Sequence, residues 1–299
     1  LGHVAEIAES PFFDAPVVDA RTYADQARAM AIDGHWGGPA APFWQPPLYP
    51  YFLGVVWWLW GGVSWLAPRL LQAVIGAGTC LLIWSLGRRA LSPTTAAAAG
   101  LAAAVWGPLV LYDAELLPPV LALPLNLLML LSLLRAHEEE RPIWPLAAGL
   151  LLGMAALCVA NVLAFCPVAA WWLYRSRSDA ARRWLPPALL LAGTVIAVAP
   201  VTARNWVVGD QLVVVSSNAG VNAYIGNNPD YRETVNIQPG PEWIELVSRP
   251  RREGGAQTAT AQSRWFLGQV AAYAASHPLD WLGLTAHKAW QFLHGAQIG

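Results

Sequence analysis

Between residues 70 and 203 the chain is organised as five apolar stretches, 70–87, 90–112, 116–134, 145–174 and 184–203, none of which contains Asp, Glu, Lys or Arg. Gaps of about 18 residues or more without charge read as membrane-spanning helices. In hydrocarbon each backbone polar group must find its partner inside the protein, so the pattern predicts an all-α polytopic membrane protein. The stretch 145–174 overshoots a single crossing of about 20 residues, and Asn161 and Pro167 interrupt it. Two short crossings with a turn near Asn161 are expected there, giving a bundle of about six crossings over residues 70–203.

The charges between stretches orient the bundle. Arg88 and Arg89 close the first stretch, Arg135 and Arg141 flank the third, and Arg175, Arg177, Arg182 and Arg183 follow the fourth. Short cytoplasmic loops retain positive charge, which puts these eight on the cytoplasmic side. The connector 113–115 has no base but carries Asp113 and Glu115, so it belongs on the opposite face, with Asn161 and the exit at Arg204 and Asn205. Residues 1–69 and 204–299 share that face.

Polar positions describe these two outer parts. Residues 19–34 pattern as a short amphipathic helix with Asp19 as its N-cap, Tyr23, Ala27 and Met30 on one face, and Gly34 at its end. The segment that follows is rich in Trp, Tyr, Pro and Gly, a composition typical of the membrane boundary. Its apolar part, Tyr49 to Trp60, would reach only ~18 Å as a helix, so it is interfacial or re-entrant. A full span there would put Arg88 and Arg89 outside, against the charge rule. Residues 211–217 read as a short strand, and 256–276 and 279–293 as amphipathic helices, the second carrying Lys288 among aromatic residues. Three parts result: an outer loop with surface and re-entrant helices over 1–69, the bundle over 70–203, and a small mixed extramembrane part over 204–299.

Composition sharpens this picture. Of 299 residues 56% are apolar and only 12% charged, well below the roughly 25% of an average soluble domain. A net charge of −1 excludes a nucleic-acid binder that works by counterion release from a broad basic face. Cys80, Cys158 and Cys166 all lie in apolar stretches and match neither a thiolate metal site nor a disulfide framework. Position 1 is Leu, and the first 33 residues carry eight charges with no signal-like apolar run, so a preceding span is expected in the full protein.

The segments PVVDARTYADQARAMAIDG, FWQPPLYPYFLG, RLLQAVIG, YDAELLPP, PLAAGLLLGMAAL and PVTARNWVVGDQLVVVSSNAGVNAYIGNNP occur in this order. Together they resemble membrane glycosyltransferases of the C-type fold, in the superfamily of dolichyl-phosphate-mannose protein mannosyltransferases and aminoarabinose transferases, in its bacterial branch. The resemblance implies transfer of a sugar from a polyprenyl-phosphate donor at the non-cytoplasmic face, here the outer face of a bacterial inner membrane. It implies an acidic catalytic residue in the first outer loop, at the position of Asp19, with Tyr23 at the family's spacing. This chain departs from the family in three places. Ala20 stands where a second acid is common, Gln45 where aminoarabinose-transferring relatives carry Lys, and Cys158, Val159, Ala160 and Asn161 occupy a turn that often holds Arg. Relatives also continue into further spans past the FLHGAQIG end.

The chemistry of a lipid-linked donor agrees with these positions. A phosphate leaves without protonation, so one carboxylate suffices as base for the acceptor, and direct displacement inverts the anomeric centre. Asp19 is the candidate base, or else only a helix cap. Arg69 and Arg204 at span ends, with Asn205 and Lys288, are candidates to hold phosphate, or else snorkelling anchors. Glu115 either orients sugar hydroxyls, binds a divalent metal ion or is a solvated loop acid; no other cofactor is expected. Tyr23, Gln45 and Asn161 complete the candidate substrate site. The acceptor is a glycan, a lipid or a protein, and the bilayer is the remaining partner. The competing readings are a transporter or flippase for lipid-linked intermediates, disfavoured because the apolar stretches carry no charge, and an inactive scaffold.

Overall fold

The computed structural model describes residues 2–176 and 182–294; Arg177 and the terminal 295–299 lie outside them. The described residues form α1 (Gly2–Ile7), α2 (Val18–Ala31), α3 (Leu48–Trp60), α4 (Leu66–Ala90), α5 (Pro93–Ala104), α6 (Gly107–Ala114), α7 (Pro119–Glu139), α8 (Ile143–Ala156), a 3₁₀ turn (Ala160–Phe165), α9 (Cys166–Arg175), α10 (Leu185–Gly209), α11 (Ala219–Gly226), α12 (Tyr231–Thr234), α13 (Pro241–Gly254), α14 (Ala259–Ser276) and α15 (Pro278–His294). The protein is an all-α integral membrane protein.

Three helices, α4, α7 and α10, are long and apolar enough to cross a bilayer, and α5 with α6 makes a fourth candidate bent by 49°. The bend follows from Gly107 and Pro108, since proline removes a backbone donor and clashes with the preceding turn. The stretch 145–174 forms two short helices, α8 and α9, separated by a 3₁₀ turn that contains Asn161. Helices α8 and α9 have 14 and 10 residues, about 21 and 15 Å at 1.5 Å per residue, against a hydrocarbon core of roughly 30 Å. Helix α8 ends where the Leu157 carbonyl accepts from the Leu48 N–H at 2.9 Å. After the 3₁₀ turn, α9 packs back beside α10 and α7, with Ala169 and Leu173 in the same buried core as Met129, Leu133, Ala148, Leu152 and Leu190. Close approach of α8 and α10 depends on glycine: a Cβ on Gly149 would lie 2.0 Å from the Leu190 carbonyl oxygen, and one on Gly193 2.3 Å from that of Leu146. Small residues at such crossings let backbones pack where apolar burial gives helices no preference over lipid.

The bundle has two distinguishable ends. At one, Arg89 binds Glu138 at 2.5 Å, the Arg135 guanidinium lies 4.6 Å from the Trp144 ring, and His137 meets Trp172 at 5.6 Å. At the other, Gln72 near the start of α4 donates to the carbonyls of Asp113 and Glu115. The surface helix α2 lies over this second end, burying Ala20, Tyr23, Ala24 and Ala27 against Tyr49, Leu53, Trp57, Leu116 and Val120. Burying a large apolar side chain contributes ~1.5–3 kcal/mol, so this face holds α2 and α3 firmly to the bundle.

Three expectations for the outer parts are corrected. Helix α2 starts at Val18 after Val17, without a side-chain cap, so Asp19 is in the first turn and is not the N-cap; the helix also stops before Gly34. The run 211–217 forms no strand among the described residues. Side chains replace a neighbouring strand there: Asn205 Nδ2 donates to the carbonyls of Val213 and Val215, and Thr202 Oγ1 to that of Val214. The described part beyond residue 204 is therefore helical rather than mixed, with a small core of Val221, Tyr224, Leu246 and Phe266.

Candidate functional site

A cavity of about 1000 Å³ opens at the second end of the bundle. Its wall is drawn from α2, the loop before α3, the α6–α7 junction, the turn after α8, and α11 to α13. Asp19, Tyr23, Gln45 and Asn161, which lie far apart in sequence, all line it. Pro119 lines it too, and Arg135 is 16 residues further along α7, or about 24 Å of helix. The cavity and the arginine-marked end are thus on opposite sides of the bundle.

Asp19 is exposed to the cavity and supplies its one lining carboxylate among the described residues. Gln45, 9% exposed, donates from Nε2 to Asp19 Oδ1 at 2.8 Å. Its own Oε1 is buried without a partner. An unpaired buried acceptor costs about 1–3 kcal/mol. Val18, immediately before Asp19, has φ 53°. A β-branched residue in that region is strained by about 1–3 kcal/mol, and such strain gathers at functional sites.

Tyr23 projects from the turn after Asp19 and packs edge-on to Tyr49 at 5.4 Å. Burial, and then the neighbouring Asp19 charge, hold its phenol well above the ordinary tyrosine value. It therefore stays a neutral hydrogen-bonding group. Tyr49 donates to Gln72 Oε1 at 2.7 Å, and Gln72 in turn holds the 113–115 connector, so a buried polar chain fixes this side of the site.

Trp44, Trp243, Tyr112, Asn218 and Asn222 also line the cavity, and sequence reasoning did not single them out. A signal existed for the two asparagines, which are four apart and so share one face of α11. Their amides, with Gln45 and Asn161, present both donors and acceptors, which suits a neutral polyhydroxyl ligand, while the aromatic rings offer flat apolar faces to a sugar ring. No Lys, Arg or His lines this cavity among the described residues.

The remaining candidates are placed elsewhere. Arg69 is 2% exposed; its Nε donates to the Ala114 carbonyl and its Nη1 to those of Phe13 and Trp65, with Phe13 stacked at 4.0 Å. Arg204 donates to the carbonyls of Gly37, Pro39 and Ala41 and lies 4.1 Å from the Phe43 ring. Asn205 is fully buried and joins Phe43 N–H to the 213–215 segment. Lys288 donates to the Gly226 carbonyl and to Asn227 Oδ1, tying α15 to α11. Each donates to protein groups rather than into the cavity. Glu115 is half-buried at the end of α6 and does not line the cavity either. No group of three or more His, Cys, Asp or Glu side chains able to hold an ion occurs among the described residues.

A model of the dolichyl-phosphate-mannose-protein mannosyltransferase family matches residues 44–206, more than half of the chain, from the loop before α3 to the outer end of α10. The matched region includes Gln45 and Asn161 and stops short of Asp19. No curated protein and no solved structure gives a significant match.

Proposed function

This chain belongs to the dolichyl-phosphate-mannose-protein mannosyltransferase family and is a membrane glycosyltransferase; from that premise we propose that it takes a sugar from a polyprenyl-phosphate carrier and transfers it, with inversion, in the cavity of Asp19. The observation that carries this reading is the Asp19 carboxylate, oriented by Gln45 at 2.8 Å, on the wall of a cavity otherwise lined by uncharged residues that include several amides and aromatic rings. Sugar-sized pockets fall at the low end of the roughly 300–1000 Å³ range of small-molecule sites, so a cavity of about 1000 Å³ has room for donor sugar and acceptor together.

The step needs one base. Asp19 takes the proton from the acceptor hydroxyl as its oxygen attacks the anomeric carbon, and the bond from that carbon to the phosphate oxygen breaks with its electron pair. Polyprenyl phosphate leaves as an anion and needs no acid, which fits a cavity with a single lining carboxylate. The Gln45 amide fixes one carboxylate oxygen and leaves the other to face the acceptor. Tyr23, kept neutral, donates or accepts at the ring's other edge. The cavity's position opposite the arginine end supports a reaction on the non-cytoplasmic face. The acceptor is a glycan, a lipid or a protein at that face.

The test is transfer of radiolabel from a panel of polyprenyl-phosphate sugars by the purified protein in lipid nanodiscs. Asp19→Asn keeps the shape and the Gln45 contact while removing the base, and transfer is expected to fall by about 10²–10⁴ with the melting temperature unchanged. Transfer by Asp19→Asn at the parental rate overturns the mechanism. A flippase would move the carrier and leave its glycosidic bond intact in both proteins.

A further inference from the structure

Next to the Asp19 cavity lies another, of about 430 Å³, bounded by α1, α4, α5, α6 and α7. Tyr112 and Pro119 line both and form the partition between them. Most of its wall is apolar, drawn from residues such as Ala73, Ala77, Ala103, Leu109 and Leu123. Its one acid is Asp113, and no Lys or Arg lines it among the described residues. Two other polar side chains of the wall have partners. His3 Nδ1 lies 3.4 Å from Glu6, and the Thr79 hydroxyl donates to the Ile75 carbonyl at 3.0 Å.

Asp113 holds its carboxylate deeper than a loop acid would. It belongs to the last turn of α6, and its side chain lies against Gly76 of α4, where a Cβ would overlap both carboxylate oxygens. Gly76 is seven residues past Arg69, or about 10 Å of helix further into the bundle. On either side of this level Val74 and Leu81 of α4 are exposed, which marks the lipid-facing side, and Ala77 and Ala104 of the cavity wall are exposed with them. The Asp113 carbonyl accepts from Gln72 at 3.0 Å, but its carboxylate makes no hydrogen bond or ion pair with a described residue. A carboxylate at membrane depth is costly, and such residues pair with an opposite charge.

We propose that this cavity is a second ligand site, separate from the Asp19 cavity, and that it takes a hydrophobic primary amine from the bilayer. The ammonium pairs with the Asp113 carboxylate, and the hydrocarbon body fills the apolar wall. Charge decides the class. An acid would bring a second negative charge to Asp113, and an alcohol would leave the carboxylate without a counter-ion. An ammonium supplies both the charge and three donors. The volume lies within the roughly 300–1000 Å³ of small-molecule sites, which are mostly apolar with a few placed polar groups. Tyr112, the shared wall, gives the occupant a contact with the Asp19 cavity.

Cys80 lines the same cavity and reports on its occupancy. The protein in lipid nanodiscs is alkylated with N-ethylmaleimide, and modification of Cys80 is followed by peptide mass spectrometry, with Cys158 and Cys166, which do not line this cavity, as internal controls. Three probes share one hydrocarbon cage and differ in the head group: adamantylamine, adamantanol and adamantane carboxylate. At about four times its Kd, adamantylamine is expected to slow Cys80 alkylation about fivefold, the factor by which a ligand depletes the unoccupied form. The alcohol and the acid at the same concentration are expected to slow it less than about twofold, with the control cysteines unaffected by all three. Asp113→Asn keeps the shape of the side chain and is expected to bring the amine down to the level of the alcohol, whereas Asp19→Asn keeps the protection seen in the parent. Equal protection by amine and alcohol overturns the ion pair, a comparison that needs no variant. Undiminished protection in Asp113→Asn overturns the role of Asp113, loss of protection in Asp19→Asn puts the amine in the other cavity, and no protection by any probe overturns the site. None of these readouts involves sugar transfer, so the outcome is independent of the proposed function.

Discussion

Asn205 gives the sharpest test of whether the outer end of α10 is a structural clamp or a ligand site. Its side chain is 0% exposed and makes four contacts: Oδ1 accepts from Phe43 N–H at 3.0 Å and from Arg204 Nη1 at 3.3 Å, while Nδ2 donates to the carbonyls of Val213 at 3.0 Å and Val215 at 3.1 Å. Phe43, Val213 and Val215 are themselves buried. Asn205→Ala therefore strands one backbone donor and two carbonyls away from water, and each stranded group costs about 1–3 kcal/mol. Even the low end sums to roughly 3 kcal/mol, which corresponds to a drop in melting temperature of about 6–12 °C for a domain of this size. Asn205→Asp keeps the volume and the acceptor but loses both donors and turns a negative oxygen toward two carbonyls, so it is expected to destabilise at least as much.

The consequence reaches the cavity because the clamped loop carries Trp44 and Gln45. Ser217 N–H donates to the Phe43 carbonyl at 2.9 Å and Asn218 N–H to that of Trp44 at 3.3 Å, so both walls hang on the same junction. Thermal unfolding in detergent, followed by tryptophan fluorescence and paired with donor saturation curves, measures both effects. The clamp predicts that stability and kcat fall together. A variant that melts within about 2 °C of the parent but shows a raised donor KM refutes the clamp and returns Asn205 to the phosphate site.

Two further changes test the packing and the electrostatics. Gly193→Ala places a methyl group against the Leu146 carbonyl at the α8–α10 crossing and is expected to cost about 1–3 kcal/mol of thermal stability; an unchanged melting temperature would mean the two helices are not in this contact. The raised phenol of Tyr23 means that the folded protein keeps a proton which the unfolded chain releases above pH ~10, so its contribution to stability is complete below that pH and is lost progressively from there up to the raised folded value. Tyr23→Phe is expected to lose less stability than the parent between pH 9 and pH 11 in matched melts, and identical alkaline slopes would refute the assignment.

The bundle was legible in the sequence because its spans must exclude charge over a fixed length. The break after α8 was legible at Asn161, and the face of Tyr23, Ala27 and Met30 is buried as its spacing requires. The strand expected at 211–217 was not legible as a helix connector. Its run of valines has the composition of a sheet residue, while its hydrogen-bonding partners are the side chains of Asn205 and Thr202 rather than another strand. The cap expected at Asp19 failed for a similar reason, since the carboxylate's partner, Gln45, is 26 residues away in an irregular loop.

The arginines show most clearly where sequence reading runs out. A guanidinium at a span end carries five donors in a rigid fork, and that fork fits backbone carbonyls as well as phosphate oxygens. Arg69 and Arg204 both sit where a phosphate could be met, yet both are used to satisfy carbonyls of loops and helix ends: Phe13, Trp65 and Ala114 for one, Gly37, Pro39 and Ala41 for the other. Loops of this kind, held over a bundle at the edge of a bilayer, need donors from somewhere. Charged side chains at the bundle rim supply them, and the cavity wall inherits its rigidity from the same bonds. To take a ligand, Arg69 would have to abandon the buried Ala114 carbonyl, at about 1–3 kcal/mol, whereas the exposed carbonyls that Arg204 bonds could turn to water.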